Sequence, residues 1–78
     1  MMTQQEWDRL GGELKSGKTT AQEAIALLMS KGDERHEAWE DVFIILGGDD
    51  IIEENAEGVR CYRRSGKPVD DVLAKMRQ

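Results

Sequence analysis

Apolar residues recur at helical spacing in four stretches of the chain, and between the third and fourth the rhythm breaks. Trp7, Leu10 and Leu14 fall at i, i+3 and i+7, which marks one face of a helix. Thr3 and Glu6 have capping-box spacing, with Met2 and Trp7 placed as a hydrophobic staple around them. Gly11 and Gly12 interrupt this stripe, each costing about 1 kcal/mol relative to Ala inside a helix. The first helix is therefore expected to stop near Leu10 or to run weakly to Lys15, with Gly17 as its end. A second helix is expected from Thr20, which forms another capping box with Glu23. Ala21, Ala24, Ile25, Leu28 and Met29 then give a complete apolar stripe, closed by Lys31 and Gly32.

The stretch Gly32 to Leu46, GDERHEAWEDVFIIL, has two faces at 100° per residue. Ala38, Trp39, Val42, Phe43, Ile45 and Leu46 share one side, predicted to be the centre of the core. Asp33, Glu34, Glu37, Glu40 and Asp41 share the other, with Asp33 as the expected cap and Glu34 in the first turn. Gly47-Gly48 ends this third helix.

From Asp49 to Arg64 two structures compete. As a fourth helix, the segment has an Asp cap, early acids, late arginines and Gly66 just beyond. As a hairpin, IIEE and VRCYRR flank the turn-prone Asn55-Ala56-Glu57-Gly58, and Gly58 favours this form. A short last helix follows, with Pro68 near its first position, Asp70 and Asp71 in its first turn, and a stripe of Val69, Val72, Leu73 and Met76. The expected fold is mainly α in one domain, 1–78. It has a compact trihelical helix-turn-helix-like core, residues 51–64 as a two-stranded wing (alternative: a fourth helix), and a short C-terminal helix.

A chain of 78 residues buries only about 60% of its unfolded surface, so a few large side chains must hold it together. Trp7, Trp39, Phe43 and Tyr62 are the candidates, with the Leu, Ile and Met residues. The single cysteine excludes an internal disulfide and fits a reducing compartment. The longest apolar run, Val42 to Leu46, falls far short of the ~20 residues a membrane helix needs. No basic region followed by an apolar stretch opens the chain. The expectation is a soluble, cytoplasmic protein without membrane contact.

The net charge of −5 is unevenly placed: residues 1–57 carry −9 and residues 58–78 carry +4. An acidic body excludes a generic nucleic-acid coat, which would be basic throughout. A basic tail permits a local contact with DNA, or head-to-tail association as a homodimer.

The three expected helices followed by LGGDDIIEENAEGVRCYRR resemble a winged-helix domain. In that family the third helix is commonly followed by a short strand with an apolar pair, a turn with Gly, and a strand ending in Tyr and basic residues. Ile51-Ile52, Asn55 to Gly58, and Tyr62 with Arg63 and Arg64 fit that pattern. LKSGKTTAQEAIALL also resembles the start of small phage-type helix-turn-helix modules, so the resemblance spans about 14–64. It implies a recognition role for the third helix, yet that helix presents Glu34, Glu37, Glu40 and Asp41, the wrong charge for a DNA groove.

Among motifs with chemistry, Gly12 to Thr19 matches the phosphate-cradling G-x-x-x-x-G-K-[ST]. The strand that must precede such a loop is missing, because EWDRLG is polar and helix-like. A helix end, a turn and a new helix start account for the same residues. His36 and Glu40, with Glu37 nearby, could offer a weak metal site, but an exposed, ion-paired histidine is the simpler account. Cys61 lies between basic neighbours that could activate it, and Glu53-Glu54 would need a cleft to do acid–base work. No cofactor, metal or enzymatic activity is expected.

Two binding readings result. In the first, Asp33, Glu34, Glu37, Glu40 and Asp41, with Asp49, Asp50, Glu53 and Glu54, dock on a basic protein surface, carboxylates standing in for phosphates. Small acidic phage-type proteins that block nucleic-acid-binding machinery act in this way, which suggests an inhibitor or nucleic-acid mimic. In the second, the chain is a winged-helix transcription regulator that binds DNA through Arg60, Arg63, Arg64 and Lys67.

Overall fold

A computed structural model describes residues 2–48 and 51–78. The order of elements is α1 (Gln4–Ser16), α2 (Ala21–Ser30), α3 (Arg35–Ile45), β1 (Ile52–Glu54), β2 (Arg60–Tyr62) and α4 (Val69–Met76). Both expected threonine capping boxes form. The Thr3 hydroxyl accepts from the Glu6 N–H at 3.2 Å while Glu6 Oε1 accepts from the Thr3 N–H at 3.0 Å. Thr20 and Glu23 repeat the exchange at 3.1 and 3.2 Å, so each helix start satisfies two of its free donors.

The Gly11-Gly12 pair does not stop α1, which runs unbroken to Ser16. Leu10 and Leu14 on either side are buried, and the Arg9–Glu13 pair spans the glycines at 3.0 Å. Tertiary anchoring overrides the low propensity. In α2, Ala21, Ala24, Ile25 and Leu28 are buried as expected. Met29 is not; it lies at the edge of the stripe in the last turn and is exposed.

The cap of α3 is Glu34, not Asp33. The Asp33 N–H is spent closing α2, donating to the Leu28 carbonyl at 3.1 Å beyond the left-handed Gly32. The Glu34 N–H in turn donates to Glu37 Oε1 at 3.4 Å.

The buried line of α3 is Ala38, Val42 and Leu46, one residue per turn at i, i+4 and i+8. This line places Trp39 on a flank, so the expectation that it sits in the core is corrected: Trp39 is 39% exposed. Its ring stacks on half-buried Phe43 with centroids 6.3 Å apart, and Phe43 meets Tyr62 edge-on at 5.2 Å. Tyr62, read as a wing residue, is among the largest fully buried side chains, with Leu28, Val42 and Val72.

Residues 51–64 form the wing rather than a fourth helix. β1 and β2 pair antiparallel with Ile52 opposite Tyr62, Glu53 opposite Cys61 and Glu54 opposite Arg60. Asn55 builds the turn: its Oδ1 accepts from the Glu57 and Val59 N–H groups, both at 2.9 Å. Gly58 takes φ of 79° there, a conformation L side chains adopt at a penalty. A return turn ties the Gly66 N–H to the Tyr62 carbonyl at 2.8 Å and leads through Pro68 into α4. Val69, Val72 and Met76 of α4 are buried and Leu73 is half-buried, closing the core over α2, α3 and β2. Three helices, an antiparallel hairpin and a C-terminal helix are compatible with a winged-helix layout. Among the described residues, no helix is long and apolar enough to cross a membrane.

Candidate functional site on the third helix

Burial of Ala38, Val42 and Leu46 fixes what α3 turns outward. In 100° steps, Glu37, Glu40 and Ile44 lie opposite that line, with Glu34 and Asp41 beside them. Glu34, Glu37 and Glu40 are exposed, and Asp33 and Asp41 are half-buried. The structure thus gathers the five carboxylates that the sequence placed on one face. It also shows an apolar residue missed in the sequence: Ile44, 59% exposed, stands within this arc. Its spacing of three and four from Asp41 and Glu40 was the available signal, obscured by its place in the apolar run Val42 to Leu46.

Asp41 is electrostatically the most perturbed member. Its partial burial raises the carboxyl above its usual range, and the charge of Asp33 and a hydrogen bond with Asp33 push the same way, followed by Glu37 and Glu40. A cation brought to this face would relieve the repulsion.

His36 is exposed and ion-paired, as expected, but with Glu34, Nδ1 lying 3.4 Å from Oε2, and not with Glu40. Glu34, His36 and Glu37 bring potential ligand atoms within 4.8 Å of one another. All three are exposed, and Glu37 is already accepting from the helix start.

Glu53 and Glu54 do not join this face. Glu53 accepts from Arg63 Nε at 2.8 Å on the hairpin, and Glu54 lies on the opposite side of β1, since strand residues alternate. Asp49 and Asp50 lie outside the described residues.

The basic segment is dispersed. Arg60 and Arg63 stand on opposite faces of the hairpin, as the register requires. Arg60 pairs with Asp70 at 3.8 Å, Arg63 pairs with Glu53, and Lys67 Nζ donates to the Leu46 carbonyl at 3.0 Å. Arg64 is exposed on the same return segment. Arg60, Arg63 and Lys67 are therefore engaged within the fold.

The G-x-x-x-x-G-K-T stretch lies across the end of α1 and the turn beyond it. Residues 13–16 are helical, and Gly17 caps the helix with φ of 81°. The Thr19 hydroxyl donates to Glu13 Oε2 at 2.8 Å; this bond, then that from Arg9, lowers the Glu13 carboxyl below its usual range. The segment is closed on itself, with a helix where a phosphate loop has a strand. Cys61 is half-buried in the wing, its sulfur 3.6 Å from the Val59 carbonyl and 3.7 Å from Asn55 Nδ2.

Set beside known proteins, the chain matches no family model, no curated protein and no solved structure.

Proposed function

We propose that this protein is a small, non-enzymatic acidic binding protein that docks α3 on a basic protein surface. The winged-helix resemblance makes a nucleic-acid-binding protein the natural target, with the chain acting as an inhibitor or regulator of phage or mobile-element type. The observation that carries this reading is the outward face of α3, where Glu34, Glu37 and Glu40 stand exposed with Asp41 beside them. Carboxylates spaced along a rigid helix offer a basic partner the field it would meet on a phosphate backbone, and such complementarity speeds encounter. The same face would oppose insertion into a DNA groove. The internal pairing of Arg60, Arg63 and Lys67 leaves the wing a weaker competitor for phosphates.

The test pairs capture of partners from a lysate with titration against duplex DNA at low salt. Two charge reversals are compared with wild type: Glu40→Lys with Asp41→Lys on α3, and Arg60→Glu with Arg64→Glu on the wing. The expected result is salt-sensitive capture of a basic nucleic-acid-binding protein that is lost in the α3 variant and kept in the wing variant. Salt-sensitive binding to DNA that disappears in the wing variant would replace this reading with the DNA-binding regulator.

A further inference from the structure

Beside the acidic face, α1 and α3 leave an open groove of about 500 Å³ lined by Trp7, Asp8, Gly11, Gly12, Lys15, Ile44 and Ile45. Its floor is bare backbone. A Cβ added at Gly12 would meet nothing within 4 Å, and one at Gly11 would only touch Ile45 Cγ2 at 3.9 Å. The fold thus tolerates side chains at both positions, although glycine there costs about 1 kcal/mol each. Half-buried Trp7 on α1, and half-buried Ile45 and exposed Ile44 on α3, form its apolar part, beside exposed Asp8 and Lys15. Ile44 belongs to both features, lining the groove and standing one turn beyond Glu40 and Asp41 on the acidic arc. An apolar slot that shares its edge with a row of carboxylates suits a ligand that is apolar on one side and cationic on the other.

Resting on the docking function proposed above, we propose that this groove seats a cationic amphipathic helix of the partner. The apolar side chains of that helix enter between Trp7 and Ile44 over Gly11 and Gly12, where the missing side chains let it approach closely. Its Lys and Arg residues lie along Glu37, Glu40 and Asp41. Helix-in-groove recognition takes its affinity from such buried apolar anchors, while the surrounding charges set approach and orientation. Asp8 adds an acid to the groove; Lys15 opposes a cation at its own position.

The experiment uses the full chain with Trp39→Phe, which leaves Trp7 as the only indole. Trp7 emission is followed at low salt against two probes, a leucine–lysine peptide that forms an amphipathic helix and an oligolysine of equal length. The leucine–lysine peptide is expected to blue-shift Trp7 and to bind at least about tenfold tighter than oligolysine, as burial of even one leucine warrants. Gly12→Leu, whose Cβ meets nothing within 4 Å, places a side chain in the groove and is expected to remove that tenfold advantage while leaving oligolysine binding unchanged. Glu40→Lys with Asp41→Lys weakens both. Equal affinity for the two peptides, or undiminished binding of the leucine–lysine peptide by folded Gly12→Leu, overturns the groove and leaves the acidic-face function standing. Binding of neither peptide overturns both.

Discussion

Lys67 reaches back twenty-one residues to donate its Nζ to the Leu46 carbonyl at 3.0 Å, at the end of α3. A cation at a helix C-terminus satisfies a free acceptor and complements the helix dipole. The stem of the same side chain crosses Gly47, where a Cβ would sit 2.6 Å from Lys67 Cδ and where φ is 107°. Lys67→Met is expected to lower stability by about 0.5–1 kcal/mol. Gly47→Ala should cost more, about 1–3 kcal/mol, because of its strained backbone as well as the clash. Urea unfolding of both variants checks the order. An equal or smaller effect for Gly47→Ala would refute this account of the α3 terminus.

Tyr62 joins wing to core. Tyr62→Ala should remove about 3–5 kcal/mol, a large share of the roughly 4–12 kcal/mol expected at this length. Burial raises the phenol above its ordinary value, with Arg60 acting in the opposite sense. A native pKa above the unfolded one means that the folded chain resists losing the proton. The stabilising effect is complete below pH about 10 and is lost as pH rises through the native pKa. With one tyrosine in the chain, absorbance near 295 nm should titrate above 10 in the folded protein and shift down on unfolding in urea.

Asp41 works in the same direction at the acid end. Its folded pKa is raised, chiefly by burial and then by Asp33, so the favourable state is the protonated one. That contribution is present below pH about 4 and is lost as pH rises through the native value. Asp41→Asn keeps the means to hydrogen-bond Asp33 and removes a charge facing Glu37 at i−4. It should stabilise the protein at pH 7 by a few tenths of a kcal/mol, about the size of one like-charge helical pair. The gain should vanish near pH 3. Thermal melts across that range decide it; a gain that is constant with pH would show that charge is not the cause.

Gly12→Ala should stabilise the isolated protein by about 1 kcal/mol through helix propensity alone, since the new methyl has open space around it. Gly11→Ala should gain no more, its methyl meeting Ile45 at ordinary contact distance. A loss of stability at Gly12 would reveal packing on α1 beyond that described above.

Local chemistry explains which parts of this fold could be read in advance. Thr3 with Glu6 and Thr20 with Glu23 are complete signals within four residues, and both close as read. The hairpin was favoured over a fourth helix by Gly58 in a turn-prone stretch, and Asn55 and Gly58 do build that turn. The carboxylates of Glu37, Glu40 and Asp41, with Glu34 at the cap and Asp33 before it, were legible as a face because helical spacing groups them. What escaped depends on the direction from which neighbours pack. Trp39 and Ile44 are as apolar as Val42, and periodicity could not say which of them meets α2. Lys67 looked available to a ligand because its acceptor lies on another element, and the groove is visible only once α1 and α3 stand side by side.

The aromatic line Trp39–Phe43–Tyr62 gives the wing a mechanical character. All three residues of β1 are exposed, and of the β2 residues only Tyr62 is fully buried. The hairpin is therefore a blade held to the helices through β2, by the inserted Tyr62 ring and the Arg60–Asp70 pair. Amide exchange should resolve the two parts. The Asn55 and Arg63 amides, which donate to the Val59 and Ile51 carbonyls just beyond the two ends of the paired strands, should open at lower free energy than the Val72 amide in α4. Stacked on Phe43 at the surface, Trp39 is the outer end of that aromatic line, so its emission should sense the wing loosening before the helices melt.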